Sequence, residues 1–509
     1  MIRAYGIAGV RRAEARAMED LPAGELMQRA ARGLAEVVTA RLEHRQSADS
    51  QESSRVVALV GAGDNGGDAL YACAHLAADG CEVGIVQVAD RVHEKARAAA
   101  EGEGATVLMP DDDGVLGWLT SAGVVLDGVT GIGGRPGLSS SVARLRDWLP
   151  DDAYVIAVDL PSGTDPAGEE SGECLYADET VTFGMAKPVH LLPAGEPATG
   201  LLTVVDIGVE EPTRPVVERL TLSDLAQRWP VPGPFDDKYR RGVLGVLAGS
   251  ERYPGAAVLT ATAAVSSGVG MMRYVGPPTP TGLVQHAVPE AVMGAGRVQA
   301  HVIGPGIAAD DRTSSGRAQQ RAVLAALTED VPAVVDAGAL DLISGVRRAP
   351  TLLTPHIGEL ARLAKRLRIR GLPRAGGSNG TWEDVVRAHP VVVARAVADK
   401  LEATVLVKGA VTVVVPPTAS GLPMRSQADG PPWLATAGSG DVLAGLAGTL
   451  LACGLSPLDA GSVAAAVHGL AGRRANPGGP VRALDVAHEL GRTIAHLLTE
   501  VDLPADPQP

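Results

Sequence analysis

The sequence predicts an α/β protein with two domains, each built from strands and helices that alternate along the chain. Short apolar runs such as Val56–Val60 and Val243–Ala248 precede glycine-rich turns and then helical segments, an order typical of mostly parallel sheets. A chain of 509 residues exceeds what one core usually serves, and the proline-containing stretch 210–234 offers a junction. We therefore expect domains at residues 1–213 and 221–501.

The composition argues against several classes of function. A formal charge of −14 disfavours nucleic acid or an anionic membrane as a general partner. No apolar run approaches the ~20 residues of a membrane helix, and Met1–Leu21 lacks the apolar core of a signal peptide. The four cysteines show no metal-ligand spacing, so we expect buried, reduced thiols in a cytoplasmic protein.

The first domain is expected to begin with two helices, over Arg12–Asp20 and Gly24–Leu42. The apolar run Val56–Val60 then predicts a buried parallel strand. The turn Gly61–Gly66 follows it and matches the GxGxxG dinucleotide fingerprint, although a match of this length is weak by itself. The segment therefore predicts a strand, a ligand-binding turn and a helix in succession.

The same turn carries negative charge. Asp64 and Asp68 flank Asn65, and two carboxylates would repel a bare pyrophosphate. A bound cation would remove that repulsion, and Asn65 with the aspartates supplies the hard oxygen ligands that potassium or a similar ion prefers. The pattern therefore predicts a cation at the turn.

Three later segments place polar side chains after expected strands. One strand ends at Asp127 and precedes the glycine-rich loop 131–137, another ends at Asp159, and a third, Thr180–Phe183, precedes Lys187. The loop could be rich in glycine only because it turns tightly. Carboxylates at the carboxyl ends of parallel strands face the ligand crevice, however, so these acids and one lysine predict a site.

The second domain is expected to open with a helix over Leu220–Trp229, followed by the strand Val243–Ala248 and a helix of small residues, Ala256–Ser267. Small side chains at the start of that helix would admit a flat ligand, or would serve close packing on the sheet. Further strands are expected near His301–Ile307 and before Asp336.

Charged residues follow at two turns of this domain. His356 and Glu359 lie beside a helix start, where a structural histidine and a helix-stabilising acid are alternatives to a binding role. Thr404–Pro416 predicts a hairpin with Lys408 at its tip. That lysine could meet a nucleotide phosphate, or it could simply be solvated.

The segment Ala435–Leu446, ATAGSGDVLAGL, is the leading candidate for chemistry. Gly438, Ser439 and Gly440 leave room for a ligand, and the N–H groups at a helix start attract phosphate. Asp441 on the first turn could cap the helix or act as a base on a bound hydroxyl.

The motifs of the first half resemble those of NAD(P)H-hydrate epimerases. DNGGD, DxxxGIGGR, VDLPSG and TVTFxxxK occur here in the order found in that family, although this chain has Asp64 where the family usually has Asn. The resemblance implies potassium ligands at Asn65, Asp127 and Ser162. It implies hydrate-binding residues at Asp64, Asn65, Gly66, Gly67, Asp68, Gly131, Ile132, Gly133, Gly134, Arg135, Pro136, Gly137 and Asp159.

The second half resembles the ADP-dependent NAD(P)H-hydrate dehydratases of ribokinase-like fold, through the motifs TPHxGE, VKGA and GSGD. By position, hydrate-binding residues would be Ala257, Gly306, His356 and Asp441. The adenine-nucleotide site would comprise Lys408, Gly409, Ala410, Val411, Thr412 and Gly440.

Together the two resemblances imply a bifunctional enzyme that repairs hydrated NADH and NADPH. A Rossmann-like first domain would epimerise the R- and S-hydrates, with Asp159 as first catalytic candidate and Lys187 as second. The second domain would dehydrate the S-hydrate with ADP, giving AMP and phosphate, with Asp441 as base. Potassium and magnesium are the implied ions, and a homo-oligomer is expected. The alternative is a sugar or vitamin kinase with a non-catalytic nucleotide-binding first domain.

Overall fold

A computed structural model describes residues 1–48, 53–373 and 380–500 and confirms the α/β class. The chain divides into two compact units. The N-terminal unit comprises Arg3–Val217, and the C-terminal unit comprises the residues from Glu218 onward together with Met1 and Ile2.

Strands and helices alternate through the first part of the chain. The strands are β1 (Ile2–Ala4), β2 (Val56–Val60), β3 (Val83–Gln87), β4 (Thr106–Leu108), β5 (Val124–Gly128), β6 (Tyr154–Val158), β7 (Glu179–Phe183) and β8 (Leu201–Val205). The helices are α1 (Ile7–Glu19), α2 (Glu25–Ala48), α3 (Asp64–Ala78), α4 (Glu94–Gly102), α5 (Val115–Thr120), α6 (Ser140–Asp147) and α7 (Glu196–Thr199).

Two helices extend further than the sequence predicted. Helix α1 begins at Ile7 rather than Arg12, and its Val10 is completely buried. Helix α2 continues past Leu42 to Ala48, although the helical spacing of apolar residues ends at Leu42. Once a helix is nucleated, each further residue adds a backbone hydrogen bond at little cost, so a polar segment can prolong it.

The N-terminal unit is built on a parallel sheet in the order β4-β3-β2-β5-β6-β7-β8. Val56, Ala58 and Val60 of β2 pack in one cluster with residues of α2 and α3, whereas Val57 and Leu59 pack with α5 and α6. Helices therefore cover both faces. The chain reverses its direction across the sheet between β2 and β5, and the ligand crevice of such sheets opens at that point.

The second part of the chain carries ten strands and ten helices in its described residues. The strands are β9 (Val217–Arg219), β10 (Val243–Leu247), β11 (Met271–Tyr274), β12 (Val292–Met293), β13 (Ala300–Ile303), β14 (Ala333–Val335), β15 (Thr351–Leu353), β16 (Thr404–Val407), β17 (Thr412–Val415) and β18 (Met424–Gln427). The helices are α8 (Leu222–Arg228), α9 (Gly255–Ser266), α10 (Pro278–Ala287), α11 (Ser314–Thr328), α12 (Ile357–Arg366), α13 (Trp382–Ala388), α14 (Pro390–Leu401), α15 (Ser439–Ala452), α16 (Pro457–Ala475) and α17 (Ala483–Glu500).

These strands lie in the order β9-β18-β17-β16-β15-β14-β13-β10-β11-β12. The pairs from β10 to β16 are parallel, and β16, β17 and β18 are antiparallel, so the predicted hairpin over Thr404–Pro416 is confirmed. One face of the sheet packs with α9, α15, α16 and α17 in a core dominated by Ala, Val and Leu. Parallel pairing brings the carboxyl ends of β14, β15 and β16 to one edge.

The remaining predictions concern the cysteines and the membrane. All four cysteines are free, but only Cys73 and Cys174 are buried, so the expectation of four buried thiols is wrong for Cys81 and Cys453. Within the described part of the chain, no helix has both the length and the apolar character needed to cross a membrane.

Candidate functional site

Asn65 lies at the start of α3, under the loop that follows β5. Its side chain is 8% exposed, and neither its Nδ2 nor its Oδ1 has a hydrogen-bond partner within the described protein. A Cβ built on Gly131 would lie 3.0 Å from the Cβ of Asn65, so the 131–137 loop passes directly over it. Buried amide groups are nearly always satisfied, so this side chain is suited to a ligand.

Asp127 and Ser162 meet beside the same loop. The Oδ1 of Asp127 accepts a hydrogen bond from the Ser162 hydroxyl at 2.5 Å, and its Oδ2 accepts the Ser162 N–H at 2.7 Å. The Ser162 Oγ in turn accepts the N–H of Thr130 at 2.9 Å. Burial raises the pKa of Asp127 to about 6, although the Ser162 hydrogen bonds oppose that shift.

Asp159 and Lys187 form a buried ion pair at the ends of β6 and β7. The Lys187 Nζ lies 2.5 Å from the Asp159 Oδ1 and also donates to the Thr182 hydroxyl at 2.8 Å. Burial by itself would raise the pKa of Asp159, but the charge and hydrogen bond of Lys187, together with the hydrogen bond from Thr182, lower it overall. The backbone of Asp159 has φ +66°, a left-handed conformation that costs of order 1 kcal/mol in a non-glycine residue.

His190 fixes the backbone around this pair. Its Nδ1 accepts the N–H of Lys187 at 3.1 Å, so its Nε2 carries the proton that it donates to the Asp159 carbonyl at 2.8 Å. Burial lowers the pKa of His190 to about 4, and the ring is therefore neutral at physiological pH. The strained backbone of Asp159 is thus held by a specific hydrogen bond.

Further carboxyl groups surround the Asp159–Lys187 pair. Burial raises the pKa of Asp68 well above its usual value, and the charges of Asp159, Asp64 and Glu14 add to the effect. Burial likewise raises the pKa of Glu14, which Lys187 partly opposes. The site therefore gathers several acids around one ammonium, and the pKa values of Asp68 and Glu14 are both raised.

The predicted 131–137 loop is more open. Ile132, Gly134 and Pro136 are partly exposed, and Gly133, Arg135 and Gly137 are exposed. The guanidinium of Arg11 on α1 donates to the Ile132 carbonyl at 3.3 Å, so α1 brings Glu14 to this side of the sheet.

In the C-terminal unit, Asp441 lies on the first turn of α15. The preceding Gly438 has φ +88°, which lets the chain turn sharply into the helix. The Thr260 hydroxyl of α9 donates to the Asp441 carbonyl at 3.2 Å, and the Ser439 hydroxyl lies 3.4 Å from the Nε2 of His468. Burial and the charge of Asp336 raise the pKa of Asp441 to about 7.

The backbone N–H groups of this turn are only partly available. Ser439 donates its N–H to the Thr436 carbonyl at 3.3 Å, and Asp441 donates to the Gly438 carbonyl at 3.1 Å. The structure records no backbone acceptor for the N–H of Gly440 in the described chain. Of the N–H groups of Ser439, Gly440 and Asp441, that of Gly440 is therefore the one left for a phosphate.

Lys408 is not the solvated lysine that a hairpin tip allows. Its Nζ lies 2.8 Å from the Oδ1 of Asp336 and 3.6 Å from the Oε2 of Glu359, and its side chain is 19% exposed. Burial alone would lower the pKa of Lys408, but the two carboxylates raise it above its usual value. A Cβ built on Gly440 would lie 3.3 Å from the Nζ, which places the ammonium beside Asp441.

His356 and Glu359 begin α12 as a capping box. The His356 Nδ1 accepts the N–H of Gly358, and the Glu359 Oε2 accepts the N–H of His356 at 2.9 Å. A bridge between His356 and Lys408 joins this turn to the hairpin. Glu359 thus both caps the helix and faces the lysine.

Ala257 lies in α9, and Gly306 lies on the loop after β13 that meets the start of this helix. Ala257 is buried on its first turn, and the Ser250 hydroxyl donates to the Gly306 carbonyl at 2.8 Å. Since Thr260, one turn further along α9, contacts Asp441, these residues share one edge of the sheet with the α15 turn. Gly409 and Ala410 are exposed at the hairpin turn, between Lys408 and the buried Val411, and Thr412 begins β17.

Comparison with known proteins gives matches to both halves. The family described as NAD(P)H-hydrate dehydratase matches residues 244–494, and the YjeF-related protein N-terminus matches residues 23–189. The chain is 40% identical to the bifunctional NAD(P)H-hydrate repair enzyme Nnr of Mycobacterium leprae, over 97% of this chain and 98% of that protein. It is 42% identical to the enzyme of the same name from Mycobacterium tuberculosis strain CDC 1551, over 89% of each.

The chain belongs to the family of bifunctional NAD(P)H-hydrate repair enzymes. Among solved structures, the ADP/ATP-dependent NAD(P)H-hydrate dehydratase of Bacillus subtilis, co-crystallised with ATP and Mg²⁺, is 26% identical with a TM-score of 0.46. The matched region covers 54% of this chain and 97% of the Bacillus subtilis chain.

Sequence reasoning overlooked several side chains in this member of the repair family. Thr182 and His190 hold Lys187 and Asp159; Thr182 lies within the TVTFxxxK motif but was given no role, and His190 follows that motif by three residues. Glu14 lies about fifty residues before Asp64, and only the fold shows that they are close. Asp336 could have been found, since it ends a strand as Asp159 does.

Proposed function

We propose that the N-terminal domain, residues 1–213, interconverts the R- and S-hydrates of NADH and NADPH. The C-terminal domain, residues 221–501, dehydrates the S-hydrate with ADP and yields AMP and phosphate. The observation that carries this proposal is the first turn of α15, where the Asp441 carboxyl group, the Gly440 N–H and the Lys408 ammonium lie together. A proton acceptor and two groups that attract phosphate are the requirements of phosphoryl transfer to an alcohol.

The dehydration follows from the chemistry of the leaving group. Hydroxide leaves poorly, because water has a pKa of ~15.7. Asp441 takes the proton of the substrate hydroxyl, whose oxygen attacks the terminal phosphoryl group of ADP and releases AMP. The lone pair of the ring nitrogen then expels phosphate, and loss of a proton from the adjacent carbon restores the ring double bond. The pKa of Asp441, raised by burial to about 7, suits a base at neutral pH.

Epimerisation needs a reversible opening of the hydrated carbon, with an acid and a base beside it. Asp159 and Lys187 form an ion pair at 2.5 Å, which places both side chains at one end of the parallel sheet. Asp159 is the first candidate for the group that transfers the proton, and Lys187 is the second candidate. Asp64–Asp68 and the 131–137 loop would bind the hydrate.

A potassium ion fits the residues around Asn65. The unpartnered Oδ1 of Asn65, the carboxylate of Asp127 and the hydroxyl of Ser162 are hard oxygen donors. When bound, the ion would neutralise negative charge of the substrate phosphates near Asp64. Magnesium is proposed as the companion of the ADP phosphates.

The test is a coupled assay with mixed-epimer NADH hydrate and ADP, followed at the NADH absorbance. Asp441→Asn is expected to lower the rate of dehydration by roughly 10²–10⁴-fold, while ADP binding, measured by calorimetry, persists. Wild-type rates in this variant would end the assignment of Asp441. A stable phosphorylated product formed with ATP, without return of NADH, would instead indicate a small-molecule kinase.

A further inference from the structure

The carboxylate of Asp336 is held rigidly at the end of β14. It is 2% exposed, and its Oδ1 accepts hydrogen bonds from the Thr354 hydroxyl and the Lys408 ammonium, each at 2.8 Å. The backbone N–H of Asp336 is paired with the Ile303 carbonyl of the neighbouring strand. A buried carboxylate with one cationic partner fixes the place of that partner, because either charge alone would be costly to bury.

Lys408 is held in a position that the helix beside it disfavours. Its Nζ lies against Gly440 on the first turn of α15, and the N-terminus of a helix is its positive end. The backbone of Lys408 is tied to the Pro355 carbonyl at 3.0 Å, so the side chain cannot move away with the hairpin. The carboxylates of Asp336 and Glu359 supply the attraction that keeps the ammonium there.

We propose that Asp336 is a positioning residue for dehydration: it clamps Lys408 against the first turn of α15 and thereby sets the charge state of Asp441. Three carboxyl groups, those of Asp336, Glu359 and Asp441, share one ammonium. Asp336 and Lys408 already neutralise each other at 2.8 Å. Asp441 therefore receives only part of the lysine charge and keeps its proton up to neutral pH.

Besides Asp336 and Lys408, the elements packed around Asp441 present Glu359 and several uncharged groups. From α12, Glu359 adds negative charge, and His356 caps the same helix. From α16, His468 is held neutral, because burial lowers its pKa to about 4. Helices α9 and α17 contribute the uncharged Thr260 and Ala483 beside the turn.

This arrangement has a consequence for the reaction. A base that titrates near neutrality can take the proton of the substrate hydroxyl and release it to solvent before the next turnover. The ammonium, kept at the helix start, meets the negative charge that develops on the transferred phosphoryl group. This catalytic part rests on the proposed dehydration, whereas the charge state of Asp441 does not.

The experiment reads the ionisation of Asp441 in the full-length protein without substrate, nucleotide or magnesium. Aspartate labelled with ¹³C at the carboxyl carbon is titrated by NMR, and the Asp441 resonance is assigned by its loss in Asp441→Asn. Asp336→Asn is expected to lower the midpoint from near 7 by about one pH unit, since it removes a negative charge that faces Asp441 and leaves the charge of Lys408, still held by Glu359, less neutralised. Lys408→Met is expected to raise the midpoint by a similar amount.

Opposite shifts in two variants of one ion pair distinguish the clamp from damage to the fold. Thr354→Val, which removes a hydrogen bond to Asp336 but no charge, is the matched control and should leave the midpoint unchanged. A midpoint that stays fixed or rises in folded Asp336→Asn overturns the proposal, as does a fall in Lys408→Met.

The pH dependence of kcat/KM for dehydration separates this inference from the proposed function. In Asp336→Asn the acidic limb should move to lower pH together with the NMR midpoint, while Thr354→Val keeps the wild-type limb. If the acidic limb of kcat/KM does not move with the NMR midpoint of Asp441, Asp336 does not act on catalysis through Asp441. If the wild-type protein has no dehydratase activity but Asp336→Asn and Lys408→Met still shift the Asp441 midpoint in opposite directions, the proposed function is refuted and the inference about Asp336 stands.

Discussion

The ammonium of Lys187 lies 2.5 Å from the carboxylate of Asp159, and only 1% of the lysine side chain is exposed. Removal of one partner from such a pair leaves a buried charge uncompensated and typically costs about 3–5 kcal/mol. Conservative replacements are therefore needed to separate loss of chemistry from loss of folding at this site.

Asp159→Asn keeps the shape of the side chain but removes the proposed base. We expect interconversion of the two hydrates to slow by at least roughly 10²-fold, since a general base typically contributes that much. In the mixed-epimer assay, NADH should form rapidly from the S-hydrate and then stop, with the R-hydrate left over. Chromatography of the remaining hydrates measures this directly.

A matched control removes a buried carboxylate elsewhere in the same sheet. Glu179 is completely buried and paired with Arg41 at 2.6 Å, away from the Asp159–Lys187 pair. Glu179→Gln should lower the unfolding temperature yet leave epimerisation intact at temperatures where the protein is folded. Equal loss of epimerisation in both variants would contradict the role of Asp159.

Potassium dependence is predicted from the unpartnered amide of Asn65. Wild-type epimerisation should be faster in potassium than in lithium at equal ionic strength, because the larger ion suits amide, hydroxyl and carboxylate oxygens placed in advance. Asn65→Leu, of similar volume, should abolish that difference. Binding of thallium(I), a potassium substitute visible by ²⁰⁵Tl NMR, gives a second readout, and an unchanged signal in Asn65→Leu would count against the site.

The two neutral histidines predict how stability depends on pH. Burial lowers the pKa of His190 and of His468 to about 4, from 6.5 in the unfolded chain. Between these values the unfolded state binds more protons than the folded state. The contribution of each neutral histidine to the free energy of unfolding is therefore complete above pH 6.5 and is lost as the pH falls towards 4. The loss is on the order of 3 kcal/mol per histidine.

His468→Gln tests this linkage in the second unit. The variant should show a weaker decline of unfolding free energy between pH 6.5 and 4 than the wild type, whatever its stability at neutral pH. Denaturant titrations at several pH values, with probes in each unit, provide the measurement. Parallel pH curves for the two proteins would refute the buried, neutral state of His468.

Close packing of α3 against the loop before it predicts the effect of a single methyl group. A Cβ on Gly66 would lie 2.2 Å from the Gly61 carbonyl oxygen, a backbone atom that cannot rotate away. Gly66→Ala should therefore destabilise the protein by about 1–3 kcal/mol and weaken hydrate binding. In α5, Gly117 has open space, so Gly117→Ala should be neutral or stabilising by up to about 1 kcal/mol. Thermal unfolding of both variants provides the comparison.

The sequence predicted strands, turns and helix starts well where a few neighbouring residues determine the backbone conformation. The strand Val56–Val60 has the predicted bounds, because five consecutive apolar residues fit a strand buried on both faces. The hairpin around Gly409 and the helix after Gly438 were also predicted correctly, since glycine marks a sharp change in backbone direction. The family resemblance rested on motifs of this kind and is confirmed by relatives that match nearly the whole chain.

Only the tertiary structure decided which charges meet. The sequence showed Lys408 at a hairpin tip and Asp336 at a strand end, 72 residues apart, and gave no means of pairing them. Likewise, His190 and Thr182 gained their roles only when β6 and β7 aligned at the Asp159 turn. The physical reason is that backbone preference acts over a few neighbouring residues, whereas the ionisation of a buried group depends on every charge that the packed sheet brings within reach.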